Sequence, residues 1–305
     1  MKITKNTRIY IAGCGGMLGE AVYDYFCKKS IVKATDIDVN TDWLEYADVR
    51  NYSQIYDSIN NFNPHIIINL AALTDLEFCE ENQENAWQTN ALGTENLALI
   101  ANNKNAEFVY ISTAGIFDGK KDVYNDFDKP NPLSVYAKSK YYGESYVRQT
   151  LKKYFIFRAG WMMGGFQKDK KFINLIYKQI VEGKKVLYVV NDKLGTPTYT
   201  KSFSNGMFNV IESDLYGLYN QVCTGDCSRY DVAVEFVKLL GLNNEIKVLE
   251  VNSDFFAKKY FAPRPFSEKL INMKLISRNL NYMPHWKDAL KDYSNIFIDD
   301  LKRRR

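Results

Sequence analysis

The first half of the chain alternates short β-branched and aromatic runs with longer segments whose apolar positions recur every three to four residues. Arg8-Ile9-Tyr10-Ile11-Ala12 predicts a strand, and Gly19–Lys29 a helix entered through a glycine-rich turn. Ile31–Thr35 predicts a second strand and Ser53–Phe62 a helix. His65–Leu70, Glu107–Ser112 and Tyr154–Phe157 read as further strands, with helices over Glu84–Asn102 and Ser134–Leu151 between them. The strands are almost continuously apolar, as in a parallel sheet covered on both faces, and the alternation means βαβ units. After Gly160 the rhythm loosens. Phe172–Val181 reads as a helix, Lys185–Val190 as a strand, and Ser228–Leu240 as a helix with Ser228 as its N-cap. The prolines of Phe261-Ala262-Pro263-Arg264-Pro265 exclude a helix interior there.

Composition narrows the class without choosing a function. At 46% hydrophobic and 25% charged residues the chain is that of an ordinary soluble globular protein. A net charge of +4 over 305 residues leaves no footprint for nucleic acid or a membrane surface, and Lys302–Arg305 reads as a solvated tail. Met1–Arg8 is polar and runs straight into a strand, and apolar runs fall far short of the ~18 residues that span a bilayer. A cytoplasmic protein is the expectation. The five cysteines are dispersed and odd in number, which fits reduced thiols. Cys223 and Cys227 have no histidine beside them in sequence, so no metal site is expected.

Candidate chemistry begins at Gly13-Cys14-Gly15-Gly16-Met17-Leu18-Gly19. Between strand and helix, this turn can present backbone N–H groups and the positive end of the helix dipole to a pyrophosphate. Asp36 follows the second strand by one residue, 20 positions beyond Gly16, where a carboxylate can bond the adenosine ribose hydroxyls. Asp38 is the rival for that role. Either acid would repel a 2′-phosphate, so NAD(H) is favoured and NADP(H) remains open. Asp48-Val49 lies on the path to the adenine. The expected fold is α/β, a Rossmann-type doubly wound parallel sheet with a smaller α/β substrate-binding lobe. Residues 1–160 would form the NAD(P)-binding domain, helped by a segment near 185–213, and 161–305 mainly the lobe. Tyr136-Ala137-Lys138-Ser139-Lys140 places a phenol and an ammonium on one helical face, and a nearby cation lowers a phenol's pKa.

These residues in this order resemble the extended short-chain dehydrogenase/reductase family of nucleotide-sugar enzymes. Asn69-Leu70-Ala71-Ala72-Leu73-Thr74, Asn90–Thr94, Ile111-Ser112-Thr113, Phe117-Asp118-Gly119 and Tyr136–Lys140 carry the likeness in the cofactor half. Arg158-Ala159-Gly160-Trp161, Gly195-Thr196-Pro197-Thr198, Arg264-Pro265-Phe266-Ser267 and Trp286 extend it and point to the dTDP-4-dehydrorhamnose reductase branch. The resemblance implies a catalytic set of Thr113, Tyr136 and Lys140. It implies cofactor contacts from Gly13, Gly16, Met17, Leu18, Gly19, Asp36, Asp48, Val49, Leu70, Ala71, Ala72, Asn90, Tyr136 and Lys140. Thr74, Thr113, Trp161 and Arg264 would meet the sugar nucleotide, Trp161 against the sugar and Arg264 on the diphosphate. The implied activity is reduction of a 4-keto-6-deoxy nucleotide sugar for surface polysaccharide, with a homodimer as one assembly it allows. A nucleotide-sugar epimerase, an epimerase-reductase and a non-catalytic regulatory subunit of the same fold are the alternatives. Ala114-Gly115 replaces an Asp-Tyr common in the family and Met17 a common glutamine, which leaves the exact sugar open. Ala21 stands where a magnesium-binding branch has an acidic residue, so no metal is carried over.

Overall fold

The first strand, β1 (Arg8–Ala12), shows why the sheet must lie between two helical layers. Ile9 and Ile11 enter one apolar core while Tyr10 and Ala12 enter a second on the opposite face. The same alternation sends Val109, Phe155 and Phe157 to the first core and Phe108, Tyr110 and Ile156 to the second. The computed structural model describes residues 1–304. Its central sheet has 7 strands. After β1 come β2 (Ile31–Asp36), β3 (Leu44–Tyr46), β4 (Ile66–Asn69), β5 (Glu107–Thr113), β6 (Tyr154–Ala159) and a last strand at Gly217–Asn220. The spatial order is Gly217–Asn220, β6, β5, β4, β1, β2, β3, and every pairing is parallel. This is the doubly wound Rossmann-type sheet. Its order reverses between β1 and β4, and the crevice outside those carboxyl ends is where such folds bind ligands.

Three short pairings build the smaller lobe: Trp161–Met163 with Pro197–Tyr199, Leu194–Gly195 with Cys227–Ser228, and Val186–Val190 with Lys247–Val251. Ser228 caps the helix Arg229–Leu239 as expected, in a reciprocal capping box with Asp231. The segment that returns to the large domain is a corrected one. Val186–Val190 stays in the lobe, whereas the helix Thr200–Glu212 packs on Gly19–Phe26 and leads into the strand Gly217–Asn220. The helix expected over Glu84–Asn102 is broken by a π-helical turn at Trp87–Leu92 before it resumes at Gly93–Asn103. Lys302–Arg304 are exposed to solvent at the end of the helix Trp286–Arg304, and Arg305 lies outside the described residues. No described helix is long and apolar enough to cross a membrane.

Candidate active site

The glycine turn closes onto the end of β4. Gly13 has φ +77°, and a Cβ on it would sit 2.2 Å from the Ala71 nitrogen, so Leu70 and Ala71 form a wall against the turn. Gly16 is the opposite case: it is exposed, and a Cβ there would meet only the Gly13 oxygen, at 3.9 Å. Among the described residues the N–H groups of Gly16, Met17 and Leu18 donate to no protein acceptor. The helix Gly19–Phe26 also begins without a side-chain cap. Unpaired amides around an open glycine at a helix amino end make a cradle that fits a pyrophosphate.

Asp36 stands beside this cradle. Its carboxylate accepts from the Gly15 N–H at 2.8 Å and from the Asp38 N–H at 2.9 Å, while the residue stays partly exposed. Asp38 itself is exposed and bonded by Asn40. Two other expected cofactor contacts are spent elsewhere. The Asp48 carboxylate accepts both Nε and Nη2 of Arg50, which holds it below the usual carboxylate range, and Val49 is buried against Gly93. Asn90 is fully buried. Its amide bonds the Leu73 backbone in both directions and donates to Ser139, so it positions the Ala72–Thr74 segment against the Tyr136 helix.

Thr113 ends β5, and Tyr136 and Lys140 lie one turn apart on the helix Val135–Thr150, capped by Ser134. Thr113 Oγ1 accepts from the Gly115 N–H at 3.1 Å. Burial pushes the Tyr136 phenol up to about 12, with the facing Thr113 hydroxyl offsetting part of the rise. The expectation of a depressed phenol therefore fails, because burial outweighs the neighbouring groups that act on it. Burial pulls Lys140 down to about 7, partly countered by Glu144. Its ammonium lies 4.2 Å from the centre of the Tyr110 ring. Behind it, Glu144 is locked by Arg158 Nη2 at 2.6 Å, Arg158 Nε at 3.0 Å and the Ser112 hydroxyl at 2.9 Å.

The lobe side differs more from expectation. Arg264 is paired with Glu77, Nη1 to Oε1 at 2.7 Å and Nη2 to Oε2 at 2.9 Å, so its guanidinium is not free for a diphosphate. Trp161 is only 8% exposed, which leaves little ring for a sugar to lie on. Its indole N–H donates to Glu268 at 2.7 Å, and the Arg229 guanidinium lies 3.8 Å over the ring. Thr74 is exposed, and its carbonyl accepts Lys171 from the lobe at 2.7 Å. Sequence reading missed Glu268, Arg229 and Lys171. Glu268 directly follows the Arg-Pro-Phe-Ser segment, the one signal that could have found it.

A family model described as the RmlD substrate binding domain matches residues 7–298. The chain belongs to this RmlD family. Spore coat polysaccharide biosynthesis protein SpsK of Bacillus subtilis (strain 168) is 29% identical over 288 residues, covering 94% of this chain and 96% of that protein. The dTDP-4-dehydrorhamnose reductase of Aggregatibacter actinomycetemcomitans is 28% identical over 234 residues, 74% of this chain and 77% of its own. A solved dTDP-4-dehydrorhamnose reductase from Clostridium acetobutylicum ATCC 824 superposes with TM-score 0.87 at 33% identity, covering 97% of this chain and 100% of that one. The Bacillus anthracis dTDP-4-dehydrorhamnose reductase in complex with NADP follows at TM-score 0.86 and 28% identity, covering 94% and 98%.

Proposed function

We propose that the protein is a nicotinamide-dependent reductase of a 4-keto-6-deoxy nucleotide sugar, working in deoxysugar synthesis for surface polysaccharide. The observation that carries this reading is the Thr113–Tyr136 hydroxyl pair, at the same carboxyl end of the sheet as the unpaired amides of Gly16, Met17 and Leu18. Relatives named as dTDP-4-dehydrorhamnose reductases support the substrate class, and the SpsK likeness supports the polysaccharide setting.

In this reading the turn amides hold the cofactor pyrophosphate, Leu70, Ala71 and Ala72 wall the groove, and Asp36 accepts from the adenosine ribose. A bound nicotinamide dinucleotide supplies the hydride for the carbonyl carbon. Thr113 orients the carbonyl oxygen and Tyr136 gives it a proton. A phenol raised to about 12 is fully protonated at neutral pH, the state that reduction needs. Lys140 bonds the nicotinamide ribose. We propose NADH as the favoured coenzyme because the Asp36 carboxylate, with Asp38 two residues on, would stand against a 2′-phosphate. The NADP in the Bacillus anthracis relative makes NADPH the coenzyme to compare it with. Incubation with each coenzyme and a panel of 4-keto-6-deoxy nucleotide sugars tests the reading: loss of nicotinamide absorbance only with such a keto sugar is the expected result. Coenzyme oxidation by none of them would reject it.

A further inference from the structure

Glu268 and Arg229 come from distant segments that the short strand Leu194–Gly195 holds together. That strand pairs with Cys227–Ser228, just before Arg229. Leu194 also donates to the Phe266 carbonyl at 3.0 Å and accepts from the Glu268 N–H at 2.8 Å. Trp161 stands between the two charged side chains, donating to Glu268 Oε2 at 2.7 Å and lying 3.8 Å beneath the Arg229 guanidinium. Gly195 packs so closely on that indole that a Cβ would fall 2.3 Å from Cε2, which fixes the ring.

One oxygen of Glu268 is therefore pinned. The other, Oε1, has no hydrogen-bond partner among the described residues and faces the catalytic hydroxyls. A Cβ placed on Gly115 would lie 3.3 Å from Oε1 and 3.5 Å from Thr113 Oγ1, so the carboxylate and the threonine look into the same small space. Arg229 makes no hydrogen bond or ion pair among the described residues, and Phe172 flanks it at 5.1 Å. Burial lowers its pKa to about 10, and Glu268 is the largest of the charges that act against this.

We propose that Glu268 Oε1 is the specificity-determining acceptor of this site, taking a hydrogen bond from the hydroxyl on the carbon next to the substrate carbonyl, with Arg229 as its countercharge. This rests on the reductase reading above. In a 4-keto-6-deoxy hexose the C5 side of the carbonyl carries a methyl-bearing carbon, so the C3 hydroxyl is the neighbouring donor. In this proposal Thr113 and Tyr136 hold the carbonyl oxygen and the sugar lies with that hydroxyl toward Glu268. A carboxylate with one oxygen held by Trp161 cannot turn away from a sugar that lacks the donor, and an unpaired carboxylate oxygen is costly.

The test compares dTDP-4-dehydrorhamnose with its 3-deoxy counterpart in the parent protein and in Glu268→Gln. The glutamine can keep the Trp161 bond through its carbonyl while presenting a donor to the sugar. The parent should prefer the hydroxylated sugar by about 100-fold in kcat/KM. In Glu268→Gln that preference should fall below about tenfold, chiefly through KM for the hydroxylated sugar. Gly115→Ala, which presses a methyl group on Oε1, should narrow the preference in the same direction and serves if the glutamine variant folds poorly. An unchanged preference in a variant that still binds NADH overturns the proposal. Deuterium entering C3 from D2O in the parent but not in the variant also overturns it, since Glu268 would then be a base. A parent that turns over neither sugar contradicts the reductase reading itself and removes the ground for both.

Discussion

Arg264 and Glu77 stand 187 positions apart and meet in a two-pronged ion pair, Nη1 to Oε1 at 2.7 Å and Nη2 to Oε2 at 2.9 Å. Burial alone would raise the Glu77 carboxyl, but the guanidinium outweighs it and holds the group below its ordinary range. The pair ties the proline-containing lobe segment to the helix that follows Thr74.

A bridging role predicts modest and coupled effects. Arg264→Met and Glu77→Gln should each cost about 1 kcal/mol of stability, discounted for the solvent that reaches the pair, and the double variant little more than either. KM for the nucleotide sugar should move less than about tenfold. A rise of about 100-fold in KM for Arg264→Met alone would put the guanidinium on the diphosphate after all.

Tyr136→Phe should lower kcat by roughly 10³-fold while NADH affinity stays within about twofold, since only the proton donor is removed. Isothermal titration with NADH and steady-state kinetics read the two quantities separately. Near-parental kcat would remove Tyr136 from the catalytic set.

Lys140 gives stability a pH signature of known sign. Its pKa is near 10.4 in an unfolded chain, and burial brings it to about 7 in the folded one. Between those values the unfolded chain binds a proton that the folded chain does not, so this lysine makes stability rise with pH. Lys140→Met removes the penalty. The variant should melt several degrees above the parent at neutral pH, and the gap should close toward the upper end of that window. A gap that is the same at both ends would show that burial of the charge is not its origin.

The proposed coenzyme preference rests on the carboxylate of Asp36, which also holds the Gly15 N–H at 2.8 Å. Asp36→Asn keeps an acceptor for that bond and drops only the charge. NADH should bind the parent more tightly than NADPH, and the asparagine variant should narrow the gap by about tenfold. Equal affinities in the parent would mean that the ribose corner is open to solvent.

Apart from the short edge strand β3, which carries too few residues for a pattern, the strands of the first half were legible because a sheet covered on both faces demands apolar runs whose period and length cannot be hidden. Ser228 was legible because an N-cap needs its side-chain oxygen at one position. The break at Trp87–Leu92 was not, because the helical period continues through it while Asn90 is drawn into bonds with Leu73 and Ser139. Thr113, Tyr136 and Lys140 could be named from spacing and resemblance, but their pKa values could not. Burial sets those values, and burial depends on residues such as Tyr110 that no local pattern marks. Arg264 looked like a free cation because its partner is remote in the chain. Arg229 and Glu268 gave no periodic signal at all: their meaning lies in a shared tryptophan.

The central claim is that this site reduces a keto sugar and does nothing else to it. Dehydration of a nucleotide-glucose needs an acid and a base on adjacent carbons, and positions 114 and 115 offer neither. The most direct measurement uses NADH carrying deuterium at both nicotinamide C4 positions, with product analysis by NMR and mass spectrometry. With dTDP-4-dehydrorhamnose, the account predicts one deuterium at sugar C4 for each coenzyme oxidised, and no reaction with dTDP-glucose. A product without the label at C4, or a 4-keto-6-deoxy sugar formed from dTDP-glucose, would contradict it.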